Sequence, residues 1–131
     1  MSTKQKPVLL AITELGGYPD FSPLYESMGY QVVKADSIRK AVKLIRQKKP
    51  RVMVAEFNFQ SDFRDRTSSL ETLLSSTQGV TDAAMIVLYE KEYESQYQRF
   101  LQSFSVAASL VFPIDQQQLQ STLANISIKI E

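Results

Sequence analysis

The sequence contains neither histidine nor cysteine. A serine or cysteine nucleophile therefore has no imidazole to activate it, and a thiolate zinc site or a disulfide cannot be built. Carboxylates, hydroxyls and lysines are left, and their spacing forms no close catalytic constellation, so no catalytic residue, metal site or cofactor is expected. Other features could bind rather than react. Gly16-Gly17 lacks the G-x-G-x-x-G and G-x-x-x-x-G-K-[ST] patterns of phosphate loops and reads as a flexible turn. Lys34, Arg39, Lys40, Lys43, Arg46, Lys48, Lys49 and Arg51 gather eight of the fifteen basic residues, with Asp36 the only acid among them. Such a stretch could attract an acidic partner or a nucleic-acid backbone. Most of it falls on the polar side of an amphipathic helix, so a solvated face is the favoured reading and nucleic acid is not the expected partner.

The elements that position these residues follow from hydrophobic periodicity. A chain of 131 residues, 44% apolar, with fifteen basic against fourteen acidic side chains, suits one globular domain over 1–131. Val8-Leu9-Leu10-Ala11-Ile12 is a continuous apolar run of the kind found in strands covered on both faces. It is too short for a signal peptide or a membrane span, so no membrane association and a cytoplasmic location are expected. Further strands are read near Gln31-Val32-Val33 and at Val52–Ala55, Met85–Leu88 and Leu110–Phe112. Between them, Ser22 before Pro23, Ser37 and Asp115 are read as helix N-caps. Leu70, Leu73 and Leu74 mark the third helix, ending near Gly79. Tyr93, Tyr97, Phe100, Leu101 and Phe104 repeat at i, i+4, i+7, i+8 and i+11 and mark the fourth. Five strands alternating with five helices imply an α/β domain, doubly wound, with a parallel sheet and helices on both faces. At the end, Ile126, Ile128 and Ile130 alternate with polar residues, so 126–131 reads as a tail, a short strand or a segment that pairs with another chain.

With this order in hand, the sequence resembles a response-regulator receiver domain, the flavodoxin-like module typified by the chemotaxis receiver, along almost its whole length. The likeness rests on the βα order, on Met28-Gly29-Tyr30, on Ala35-Asp36-Ser37, on Pro50-Arg51-Val52-Met53-Val54-Ala55-Glu56 and on Phe112-Pro113-Ile114-Asp115. It implies five parallel strands in the order 2-1-3-4-5. It also implies where a phosphorylation site would lie, and at each such position this sequence departs from the family. Thr13 and Glu14 stand where the family has the acidic pair that binds Mg²⁺, leaving one hard oxygen ligand where the ion favours several. Glu56 replaces the acceptor aspartate, and its extra methylene displaces the carboxylate in a reaction where about 1 Å costs roughly a hundredfold. Phe112 stands where the family has its lysine, Tyr89 where it has a small hydroxyl residue, and Ser109 where it has its switch aromatic. Pro113 survives, preceded in the family by a peptide bond that is often cis.

The resemblance thus implies a degenerate pseudo-receiver, not an enzyme, acting on a signalling partner or on a second copy of itself. Its implied interaction face is built from the fourth helix, fifth strand and fifth helix, with Tyr93, Tyr97 and Arg99 as candidate contacts because tyrosine and arginine are enriched at hot spots. Glu56 is expected as a residual carboxylate at the solvent-exposed mouth of the sheet, without an obvious partner, in preference to a permanent imitation of phosphorylation. The alternative is a flavodoxin-like regulatory domain that binds a nucleotide or other small molecule above the strand ends, lined by Tyr89 and Phe112.

Overall fold

The structure is a computed structural model that describes residues 6–57, 69–77, 79 and 83–130. Its strands are β1 (Val8–Ile12), β2 (Gln31–Ala35), β3 (Val52–Glu56), β4 (Ala84–Tyr89) and β5 (Ala108–Val111). All neighbours pair in parallel, in the order β2-β1-β3-β4-β5. The helices are α1 (Ser22–Ser27), α2 (Ile38–Lys48), α3 (Ser69–Thr77), α4 (Glu94–Ser103) and α5 (Gln116–Ile130), and one 3₁₀ turn at Lys91–Tyr93 leads into α4.

Two cores explain why the strands read as unbroken apolar runs. Side chains alternate across a strand, so each strand must satisfy both faces of the sheet. Leu10, Ile12, Met53, Ala55, Val87 and Tyr89 point to one side and pack with Ala41 and Ile45 of α2, Leu70 and Leu73 of α3, and Tyr97 and Phe100 of α4. Leu9, Val52, Val54, Ile86, Leu88 and Leu110 point to the other and pack with Leu24 and Tyr25 of α1 and Leu119, Leu123 and Ile126 of α5. Every residue of the central strand β3 is buried, and each fully buried aliphatic side chain contributes about 1.5–3 kcal/mol relative to exposure.

The caps at α2 and α5 lie where the sequence puts them. The Ser37 hydroxyl accepts the Lys40 N–H at 3.2 Å and the Asp115 carboxylate accepts the Gln117 N–H at 2.9 Å. The cap of α1 does not. Ser22 is already helical, and the Asp20 carboxylate, two residues earlier, accepts its N–H at 2.9 Å. At the other end of α2, Lys49 takes the left-handed conformation at φ 50° and Pro50 prevents continuation.

The end of the chain also differs from the sequence reading. Residues 126–130, read as a tail or strand, lie in α5, with Ile126 buried in the second core. Positions 126 and 130 are four residues apart, a spacing that suits a helix as well as an alternating strand. Among the described residues, no helix is long and apolar enough to cross a membrane.

Candidate functional site

Parallel strands leave their C-terminal ends at one edge of the domain, and Glu56 is the last residue of β3, beside Leu88 of β4. The sequence reading placed this carboxylate at an exposed mouth without a partner, and the structure corrects both points. Glu56 is only 4% exposed. Its Oε1 accepts the Leu15 N–H at 3.0 Å, and its Oε2 accepts the Gly16 N–H at 3.2 Å and the Tyr18 hydroxyl at 2.6 Å. The loop between β1 and α1 therefore folds back over the end of β3.

Gly16 and Gly17 make that path possible. Their φ angles are 71° and 85°, a region that only glycine enters without strain. Conformation rather than room is what demands glycine, since a Cβ on Gly16 would meet nothing closer than the Thr13 methyl at 3.5 Å. Successive backbone N–H groups turned inward form a concavity that suits an anion. In a domain of this topology such a concavity is where a phosphate would be sought. Here the protein's own carboxylate fills it.

Aromatic rings close the site from above. The Tyr18 ring lies 5.2 Å from that of Phe112, tilted by 45°, and 6.3 Å from that of Phe21. Burial, and then the hydrogen bond to Glu56, push the Tyr18 phenol well above the usual tyrosine range, so it remains a proton donor to the carboxylate. Thr13 is exposed, its Oγ1 3.5 Å from the Tyr18 oxygen, and Glu14 is half-buried. What stays open is a recess of about 450 Å³ bordered by Leu15, Gly17, Tyr18, Glu90, Tyr93 and Phe112. Neither Thr13 nor Glu14 lines it, and among the described residues no group of three carboxylates is placed to hold a metal ion.

Tyr89 is elsewhere. The sequence reading put its bulk in the phosphate position and paired it with Phe112 around a ligand, but strand alternation sends it to the opposite face of the sheet from Glu56. It is 7% exposed, stacks on Tyr97 with centroids 4.3 Å apart, and donates its hydroxyl to Glu94 at 2.9 Å. Burial, followed by the Glu94 contact, pushes its phenol up to about 12. Phe57 and Phe100 join the same stack.

That stack also revises the expected interaction face. Tyr97 is 1% exposed and its hydroxyl is hydrogen-bonded to that of Ser109 on β5, so it is core and not a surface contact. Tyr93 is half-buried and Arg99 exposed, and Val111 at the edge of the sheet is 36% exposed. The loop residues Gly16 and Tyr18 were not singled out as partners of Glu56 from sequence. The signal available was a Gly-Gly pair followed at once by an aromatic carrying a hydroxyl, at the first strand end.

No family model matches the sequence, and no curated protein matches it. Solved structures match in fold. A response-regulator receiver domain protein from Clostridium thermocellum shares 16% identity, with 94% of this chain and 95% of that chain covered and a TM-score of 0.73. The chemotaxis protein CheY4 of Vibrio cholerae shares 16%, covering 93% of this chain and 99% of that chain at 0.72. The REC domain of AraT, a response regulator from Geobacillus stearothermophilus, shares 19%, covering 95% of each at 0.68. In this chain the Phe112-Pro113 bond is cis. The chain therefore has the fold of the response-regulator receiver domains, with the C-terminal ends of its strands closed over a glutamate.

Proposed function

We propose that this chain is a receiver-type signalling domain that works by binding another protein and does not accept a phosphoryl group. The observation that carries the reading is the saturation of Glu56. For either oxygen to attack a phosphoryl donor in line, the loop from Leu15 to Tyr18 must first let go. Each hydrogen bond to a charged group contributes about 1.5–3 kcal/mol; freeing Oε1 releases one of them and freeing Oε2 releases two. The positions around it supply no compensation: Phe112 brings no positive charge, and Thr13 with Glu14 offers one carboxylate to a cation that prefers several oxygens. With the chemistry closed, the surface of α4 and β5 supports the binding role, through exposed Arg99 and Val111 beside half-buried Tyr93.

Addition of Mg²⁺ and beryllofluoride, followed by amide chemical shifts, tests the reading. The expected result is no saturable change at Leu15, Gly16 or Glu56. Magnesium-dependent shifts centred on Glu14 and Glu56 would overturn it.

A further inference from the structure

The charges of this chain are segregated. From Lys34 to Arg51 there are eight basic residues and one acid, a net +7; the remainder holds seven basic against thirteen acidic, a net −6. The overall +1 conceals this division. The fold separates the later part of this stretch in space, because a helix joining two parallel strands must run back against them, while Lys34 near the end of β2 stays paired with Asp20 of the first loop. The C-terminal end of α2 is thereby carried to the edge where the strands begin. Arg39, Lys43 and Arg46 recur at i, i+4 and i+7 on α2, all exposed and, among the described residues, outside any ion pair. Lys48, Lys49 and Arg51, exposed at the end of α2 and the start of β3, add positive charge at the edge where the strands begin. At the opposite edge, where the strands end, stand Glu90 and Glu92 before α4, Asp20 and Glu14 in the first loop, and Asp115 after β5, with Lys91 among them.

We propose that the partner of the α2 row is a second copy of this chain, which presents the acidic rim at Glu90 and Glu92. This deepens the binding role argued above by naming a partner, and it makes no use of Glu56. Charge complementarity within one sequence favours this occupant over other anions. Duplex nucleic acid carries one charge per about 1.7 Å and would engage the row alone, whereas a second copy engages the row and the rim at Glu90 and Glu92 together. An anionic bilayer rewards apolar side chains that insert, whereas the exposed large hydrophobic residues among those described, Leu15 and Val111, are not on α2. The two surfaces are different patches, so the contact is heterologous and symmetry does not stop it at two copies.

Sedimentation of the full chain at low and high ionic strength tests this, because the screening length falls from about 30 Å at 0.01 M to about 3 Å at 1 M. The expected result is a weight-average mass that rises with concentration to about twice the monomer or beyond at low salt, and the monomer mass at high salt. K43E/R46E and E90K/E92K change exposed residues, and circular dichroism checks that each folds. Each alone is expected to stay monomeric, and an equimolar mixture is expected to associate again, because a reversed row then meets a reversed rim. A wild-type chain that stays monomeric at low salt, association insensitive to salt, or a mixture that fails to associate each overturns the proposal. So does loss, in K43E/R46E, of binding to a short DNA duplex or to anionic vesicles by a wild-type chain that does not self-associate. A positive beryllofluoride result would leave this outcome untouched, so the two readings fail separately.

Discussion

Replacing Tyr18 by phenylalanine isolates the contact on which the closed site depends. The ring stays, with its packing 5.2 Å from Phe112, and only the hydroxyl that donates to Glu56 at 2.6 Å is lost. A hydrogen bond to a charged group is worth about 1.5–3 kcal/mol net. Two of three donors, the N–H groups of Leu15 and Gly16, remain on the carboxylate, and the half-buried ring leaves room for water, so the lower part of that range applies. Y18F is therefore expected to cost about 1.5–2 kcal/mol in urea unfolding, with an unchanged m-value. The second arm is E56Q, in which an amide NH₂ faces donors and cannot accept from all of them. If Tyr18 and Glu56 act on each other, the double variant Y18F/E56Q should cost less than the sum of the two, with a coupling of about 1 kcal/mol or more. A Y18F cost below about 0.5 kcal/mol together with additive behaviour in the cycle would refute the claim that the loop is held through this carboxylate.

Other outcomes follow from the same geometry. Lys49 sits at φ 50°, a conformation that costs a non-glycine residue about 1–2 kcal/mol; K49G should raise the unfolding free energy read from urea titration by up to about 1 kcal/mol once the greater freedom of glycine in the unfolded chain is subtracted. G16A, at φ 71°, should lower stability by about 1–2 kcal/mol although space for the methyl exists, and a neutral result would point to a different loop path. Tyr18, Tyr25, Tyr89 and Tyr97 are all raised above the usual tyrosine range, chiefly by burial. A raised folded value means stability that is full below the unfolded value near 10 and is lost as pH climbs through the folded one, about 12 for Tyr89. Absorbance at 295 nm should accordingly show these phenols ionising together with alkaline unfolding. Asp20 is lowered to about 2, first by its hydrogen bond to Lys34 and then by Ser22. Its contribution is present above its ordinary 3.8 and vanishes as pH falls toward 2. Because the pair is exposed, D20N should remove less than about 1 kcal/mol of that acid dependence, read from unfolding midpoints between pH 4 and 2.

The fold was legible because burial on both faces writes itself into composition. β3 reads as an unbroken apolar strand, α2 shows one apolar stripe behind a serine cap, and Asp115 opens α5 as its position suggests. The capping of α1 was misread for a local reason: Ser22 is a fit cap by type, but Asp20 reaches the same N–H and is itself fixed by Lys34 at 2.6 Å, fourteen residues away. Glu56 could be singled out at the end of β3 from the sequence, whereas its environment could not. Its partners are two backbone N–H groups, which carry no residue-type signature, and a tyrosine thirty-eight positions earlier. Tyr89 was misplaced because both faces of β4 are buried, so alternation alone offers no hint of which side meets solvent, and Tyr97 because it shares with Phe100 the apolar stripe of α4 that faces the core.

The first loop is held at Leu15 and Gly16 from outside itself. Its turn is sustained by a carboxylate delivered from the middle of the sheet, so it can acquire its shape only after β3 has docked between β1 and β4. During folding, order at Gly16 must trail assembly of the sheet's centre, and in the native state any loosening of β3 is felt there at once. Exchange of the Leu15 and Gly16 amides should thus act as a gauge of the integrity of a strand to which neither residue belongs.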